Sequence, residues 1–131
     1  MSEIDDIEAI RRLSYEYAMA VDTMNLDAVT ELFTSDAVLD LGPDGPPQMN
    51  DRDAITDFFR ELFEGSSNLF HLTSNHIIEV DGDLAKGTVY YAASGVTSEG
   101  STFGASGYYS DIYVRSDDGW KFQRRNVVAL L

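Results

Sequence analysis

One acid and one histidine have the residue types and the expected positions for proton transfer. Asp22 closes the stretch YAMAVD (17–22), which the sequence places at the end of the first helix. A carboxylate there faces the negative end of the helix dipole, which costs up to about 1 kcal/mol unless something offsets it. A histidine from the sheet would offset it, because a carboxylate holds an imidazole in one tautomer and favours its charged form. Such a pair is a candidate general base, although Asp22 and His71 could each also have a purely structural role.

The only other histidine is His76, five positions after His71. On a regular strand, residues an odd number apart point to opposite faces. We therefore expect His71 to share a face with Asn75 and Ile77, and His76 to share the other face with Leu72 and Ile78. This arrangement argues against a two-histidine metal site, and we predict no metal.

Several polar side chains could line a pocket beside His71. The candidates for substrate binding are Tyr15, Tyr17, Asn75, Tyr91, Tyr109 and Arg125. Each tyrosine could instead fill the core and use its hydroxyl for one internal bond. Arg124 and Arg125 alternate on the last strand, so at most one of them points inward. Asp111 lies within a strand and needs a partner, for which an arginine of the last strand is the simplest choice.

The order of elements predicts helices first and a run of strands after them. Ser2 and Asp5 suggest a capping box at the start of the first helix, and the helical stripes indicate helices over 2–22, 26–33 and 51–63. Ala37–Leu41 is predicted to be a short strand, and long strands follow over 69–80, 84–97, 102–115 and 120–130. The prediction is one α+β domain over residues 1–131, with helices packed on a strongly curved antiparallel sheet. Glycines inside the strands (Gly87, Gly95, Gly104 and Gly107) are expected to bend the sheet into a cone with an internal pocket.

The composition excludes several classes of function. The chain has 131 residues and a formal net charge of −14, which disfavours nucleic acid and anionic membranes as partners. The absence of cysteine rules out disulfides and thiolate chemistry. No phosphate-binding loop, zinc-protease motif or dinucleotide fingerprint occurs, so we predict no cofactor. An acidic start without an apolar run predicts a cytoplasmic protein.

Four segments resemble SnoaL-like proteins of the nuclear-transport-factor-like superfamily, whose fold is a cystatin-like cone. They are YAMAVD (17–22), LDAVTELFTSDA (26–37), HLTSN (71–75) and DGWKF (118–122). The nearest branch is the one of scytalone dehydratase and hexachlorocyclohexane dehydrochlorinase. In that branch an Asp ending the first helix pairs with a His on the strand after the third helix, which implies that Asp22 and His71 form such a pair. The position of Asn75 matches the polar residue that follows this His.

These observations leave three functional hypotheses. The first is a lyase or isomerase of the dehydratase type, acting on a small hydrophobic, cyclic substrate through His71 and Asp22. The second is a non-catalytic domain that binds a small molecule or another protein. The third is epoxide hydrolysis by Asp22, Asp111 and Arg124 or Arg125, which their spacing does not favour.

Self-association is also expected. The outer face of the sheet is predicted to carry Leu72, Ile78 and aromatic residues, more apolar surface than a monomer usually exposes. We therefore expect a homo-oligomer. The resemblance suggests a trimer, and a dimer would bury the same face.

Overall fold

A computed structural model describes residues 2–131 and begins with three helices, α1 (Glu3–Asp22), α2 (Leu26–Glu31) and α3 (Arg52–Glu64). The capping box at the start of α1 is confirmed: the Ser2 hydroxyl accepts from the backbone N–H of Asp5, and the Asp5 carboxylate accepts from the N–H of Ser2. Asn25 and Asp51 cap the two shorter helices in the same way, because their side chains accept from Ala28 and Ala54. No helix between residues 2 and 131 combines the length and the apolar character that a membrane crossing requires.

Five strands form one mixed sheet. They are β1 (Phe33–Asp40), β2 (Ser66–Asp81), β3 (Leu84–Thr97), β4 (Thr102–Ser116) and β5 (Gly119–Ala129). Their spatial order is β1-β5-β4-β3-β2, and all neighbours are antiparallel except β1 and β5, which run parallel. The predicted meander of four long strands is confirmed. The short strand predicted over Ala37–Leu41 is also present, but it begins earlier, at Phe33, and its parallel pairing with β5 was not predicted. The prediction that α2 extends to Phe33 is wrong, because β1 already begins there.

The predicted α+β architecture, helices on a curved sheet, is confirmed. The core lies between the helices and the inner face of the sheet and includes Ile10 and Tyr17 of α1, Phe59 of α3 and Phe122 of β5. Residues of α1 and β2 make extensive contact, so the helix that ends at Asp22 lies along the strand that carries His71. Within residues 2–131, no helix packs against the opposite, outer face of the sheet.

A bulge in β2 changes which side chains face the core. The pairing of β2 with β3 shifts between Ser74 and Ile77, and Asn75 adopts a left-handed conformation with φ 53°. Asparagine tolerates this conformation better than most residues. The bulge inserts one residue, so the alternation reverses after it.

The sheet is curved as predicted, but the strand glycines mark no bulge in the pairing of β3 with β4. The pairing of β3 with β4 is continuous from Leu84 to Val96, past Gly87, Gly95, Gly104 and Gly107. Instead, a Cβ atom at Gly87 would meet the ring of Tyr113, and one at Gly95 would meet the ring of Phe103. These two glycines therefore make room for aromatic rings on the inner face, and the bulges lie elsewhere.

Candidate functional site

Asp22 and His71 contact each other at two points. The carboxylate Oδ1 lies 2.7 Å from the ring Nδ1 of His71, and Oδ2 accepts from the backbone N–H of His71 at 2.8 Å. The first contact fixes the ring, and the second fixes the strand against the end of α1. Because an ionised carboxylate only accepts, Nδ1 carries the proton in this arrangement, and the lone pair of neutral His71 is on Nε2.

The pair is partly open to solvent. The side chains of His71 and Asp22 are 13% and 21% exposed. Within residues 2–131, two buried side-chain atoms have no hydrogen-bond partner: Nε2 of His76 and Nη1 of Arg125. Nε2 of His71 is not one of them, so it is not sealed inside the protein without a partner. An imidazole held on one nitrogen and accessible on the other has the arrangement of a general base.

Small side chains lie beside His71 on the inner face of the sheet. His71 pairs with Ala93 on β3, and Ala93 pairs with Ala105 on β4. Both alanines are half-buried and border the core. Along this row, the imidazole is therefore bordered by short side chains.

Aromatic rings flank this row. The ring of Tyr17 meets that of His71 edge to face, with centroids 6.2 Å apart, and Tyr91 stacks on Tyr109 at 4.5 Å. Burial raises the pKa of all three tyrosines, so their hydroxyls remain protonated and can donate. Within residues 2–131, none of these hydroxyls is a buried oxygen that lacks a hydrogen-bond partner.

Arg125 and Asp111 form a fully buried ion pair, as expected for an inward arginine of the last strand. Arg125 donates from Nε and Nη2 to the two Asp111 oxygens at 2.9 and 2.8 Å, and from Nη2 to the hydroxyl of Ser14. Burial opposes the charge of Arg125, but the Asp111 carboxylate outweighs it and raises the pKa of the guanidinium. The guanidinium carbon lies 4.5 Å from the ring centre of Tyr17 and 3.8 Å from that of Tyr109, so Arg125 holds both rings in place.

His76 lies on the same face of β2 as His71, so the prediction of opposite faces is wrong. The bulge at Asn75 reverses the alternation, and the His76 ring meets that of Tyr15 on α1 at 5.6 Å. For the same reason Ile77 is exposed and Ile78 packs against the core, the reverse of the predicted pattern.

Two predicted pocket residues lie away from the imidazole. Asn75 is exposed within the bulge, and Tyr15 is half-exposed beside His76. Arg124 instead bonds Asn126 and Gln48. The structure therefore brings Tyr17 to His71 and places the stacked pair Tyr91–Tyr109 beyond Tyr17.

The acids and arginines considered for epoxide hydrolysis do not form one cluster. Asp22 pairs with His71, whereas Asp111 pairs with Arg125 and accepts from the hydroxyl of Tyr113. The Asp111–Arg125 pair is also completely shielded from solvent. This arrangement gives no support to that reading.

An enclosed volume beside the pair stays a prediction. Concavities of about 520 and 450 Å³ lie on the outer part of the sheet, and neither is lined by Asp22 or His71.

Sequence reasoning missed Ser14, Ala93 and Ala105. Ser14 is fully buried on α1 and accepts from Arg125, and a serine in the apolar stripe of a helix is a signal for such a buried bond. The two alanines could have been found only by aligning the strands in register, which required the turns on either side of β3.

Fold and site together define an α+β protein with the nuclear-transport-factor-like fold and an acid–histidine pair on the concave face of its sheet. The model of the SnoaL-like domain matches residues 2–126, so the chain belongs to the SnoaL-like family.

Solved structures agree with this assignment. A Novosphingobium aromaticivorans protein with the provisional name aromatic ring hydroxylase is 33% identical, with a TM-score of 0.94 over 100% of this chain and 93% of that chain. A second protein of that organism, provisionally named scytalone dehydratase, is 23% identical, with a TM-score of 0.89 over 98% and 86% of the two chains. A hexachlorocyclohexane dehydrochlorinase is 20% identical, with a TM-score of 0.83 over 95% and 84%. The last two show a shared fold.

Proposed function

We propose that this protein is a cofactor-independent lyase or isomerase in which His71 is the general base and Asp22 positions it. The observation that carries the proposal is the two-point contact of Asp22 with His71, which leaves Nε2 of the imidazole accessible. A dehydratase and a dehydrochlorinase, both named for elimination reactions, share the fold.

In the proposed reaction, Nε2 of His71 removes a proton from a carbon next to a carbonyl or a leaving group. The electron pair of the broken C–H bond forms a new C=C bond. In an elimination the leaving group departs with its own electron pair, and in an isomerisation the charge moves onto the carbonyl oxygen as an enolate, which is then reprotonated at carbon. Asp22 stabilises the imidazolium that forms, as the carboxylates of other acid–histidine pairs do.

The substrate proposed is small, hydrophobic and cyclic. The row of His71, Ala93 and Ala105 offers an apolar surface with short side chains. Protonated hydroxyls of Tyr17, Tyr91 or Tyr109 are the nearest candidates to donate to a developing oxyanion or leaving group. Arg125 is buried beneath the rings of Tyr17 and Tyr109, so we assign it the role of holding these rings rather than of binding substrate. Asn75 is exposed in the bulge, so we assign it no role in the proposed reaction.

Turnover of a substrate panel tests the proposal. The panel contains small cyclic ketones, cyclic alcohols, halides and phenols, and mass spectrometry detects the loss of water or hydrogen halide, while NMR detects isomers. We expect turnover by the unmodified protein in buffer with a metal chelator and without added cofactor. His71→Gln and Asp22→Asn should lower the rate by about 10²–10⁴-fold, the usual contribution of general base catalysis.

His76→Gln is the matched control, because it changes a histidine of the same strand face that has no acid partner. It should retain activity, and circular dichroism should show all three variants folded. Equal activity of folded His71→Gln and unmodified protein would contradict the proposal. Binding of panel compounds without turnover would favour the non-catalytic binding domain instead.

A further inference from the structure

An aromatic side chain that the proposed reaction does not use, Phe103, lies on the same concave face of the sheet as His71. Leu69, Gly95 and Phe103 pair with one another across β2, β3 and β4, and they form the row next to the one that contains His71. Residues two apart on a strand share a face, and the two rows are therefore about 7 Å apart along the strands. Phe103 is thus in the row adjacent to the imidazole.

The ring of Phe103 lies over the backbone of Gly95. A Cβ atom at Gly95 would be 2.5 and 2.8 Å from two carbons of this ring, Cζ and Cε1, which is closer than real Cβ atoms approach their neighbours. Because β3 lies between β4 and β2, the ring extends from β4 across β3, towards the strand that carries His71. Only a glycine at position 95 lets the ring take this position.

The Phe103 ring is exposed, unlike the other aromatic rings that β3 and β4 place on this face. Phe103 is 43% exposed, whereas Tyr91, Tyr109 and Tyr113 are at most 7% exposed. Tyr113 also lies against a glycine, Gly87, but it belongs to the core, and its hydroxyl donates to a buried carboxylate. Packing in the core therefore accounts for the ring of Tyr113, but it leaves a large part of the Phe103 ring open on the concave face.

We propose that Phe103 is a specificity-determining residue that binds a flat, aromatic or unsaturated ring of the substrate. This role rests on the proposed function, which places a small cyclic molecule beside His71. A ring bound over the row of His71, Ala93 and Ala105 reaches the adjacent row and covers the exposed part of Phe103. Burial of apolar area and the contact of two flat rings both stabilise this arrangement. A puckered, saturated ring cannot stack in the same way and binds more weakly.

Titration of the full chain with phenol, followed by ¹H–¹⁵N NMR, tests this role. Cyclohexanol is the comparison compound, because it keeps the ring size and the hydroxyl but is not flat. We expect the unmodified protein to bind phenol more tightly than cyclohexanol, with shifts of the amide signals of His71 and Phe103. Phe103→Ala should weaken phenol binding by about 2–10-fold, the value of one aromatic contact. Gly95→Ala keeps Phe103 but displaces its ring, so it should weaken phenol binding in the same way.

The matched control is Phe70→Ala. Phe70 is 55% exposed at the same end of the sheet, but its side chain is on the outer face, so this variant should bind phenol like the unmodified protein. Thermal unfolding should show all three variants folded. No phenol binding by the unmodified protein, or unchanged phenol binding in folded Phe103→Ala or Gly95→Ala, would overturn the role of Phe103, and so would an equal loss in Phe70→Ala.

Turnover of the substrate panel is a separate measurement. Turnover that depends on His71, together with phenol binding that does not depend on Phe103, would contradict only the role of Phe103. Phenol binding that depends on Phe103, without turnover of any panel compound, would contradict only the proposed reaction.

Discussion

At the residue scale, the contact between Asp22 and His71 follows from an unfavourable charge position. A carboxylate at the end of α1 needs a donor, and His71 supplies two, one from its ring and one from its backbone. Residue types and the end of the helix made Asp22 and a sheet histidine candidates, and the family resemblance pointed to His71 as the partner. The sequence could not predict the place of His76 or Asn75, because a single left-handed residue reverses the alternation of the strand.

His76 should titrate below the usual histidine range. Burial lowers its pKa, and the charges of Arg11 and Arg125 lower it further, while Glu8 and Asp111 act in the opposite direction. The folded state therefore favours the neutral ring of His76. The stability that this preference contributes is fully present above the pKa of histidine in the unfolded chain, about 6.5, and is lost as the pH falls below it. NMR titration of His76 should give a value below 6.5.

His76→Gln should remove this contribution to the pH dependence of the melting temperature. A measured pKa of His76 at or above that of an unstructured histidine would show that its ring is solvated in the folded protein, and would contradict the burial beneath α1.

At the element scale, local signals located the helices and the long strands. Capping residues Ser2, Asn25 and Asp51 set the helix starts, and Leu84–Thr97 has the predicted bounds. The parallel pairing of β1 with β5 has no local signal, since it depends on contacts between distant parts of the chain. The sequence also did not show that Gly87 and Gly95 make room for aromatic rings, because each ring belongs to the neighbouring strand β4.

The start of α1 is attached to the sheet by an acid-sensitive contact. Asp6 accepts from Arg115 at 2.8 and 2.9 Å and from the indole of Trp120 at 3.1 Å. The hydrogen bonds from Arg115, more than any other contact, hold the pKa of Asp6 at about 2. The stabilisation by the ionised Asp6 is therefore fully present above the pKa of aspartate in the unfolded chain, about 4, and is lost as the pH falls towards 2.

Asp6→Asn should lower the melting temperature by several degrees at pH 7, and the difference from the unmodified protein should shrink as the pH approaches 2. Asp83→Asn is the control, because this exposed carboxylate bonds the same arginine through one nitrogen and should matter little. Equal effects of the two substitutions at pH 7 would contradict the dominant role of Asp6.

At the scale of the whole molecule, the two faces of one sheet have separate roles. The concave face holds the acid–histidine pair and the aromatic rings, and the convex face carries the apolar surface. Sequence reasoning predicted the curved sheet and an apolar outer face, but it assigned Ile78 to that face, where the structure places Ile77. A correct list of the exposed side chains required the register of the whole sheet.

The central claim is that Asp22 holds the ring of His71 with its proton on Nδ1 and leaves Nε2 as the base. Two-bond ¹H–¹⁵N correlation NMR on the unmodified protein reports directly which ring nitrogen of His71 carries the proton. The account predicts a protonated Nδ1 and an unprotonated Nε2 for His71, and a loss of this single tautomer in Asp22→Asn. A proton on Nε2 of His71, or an unchanged spectrum in Asp22→Asn, would contradict it.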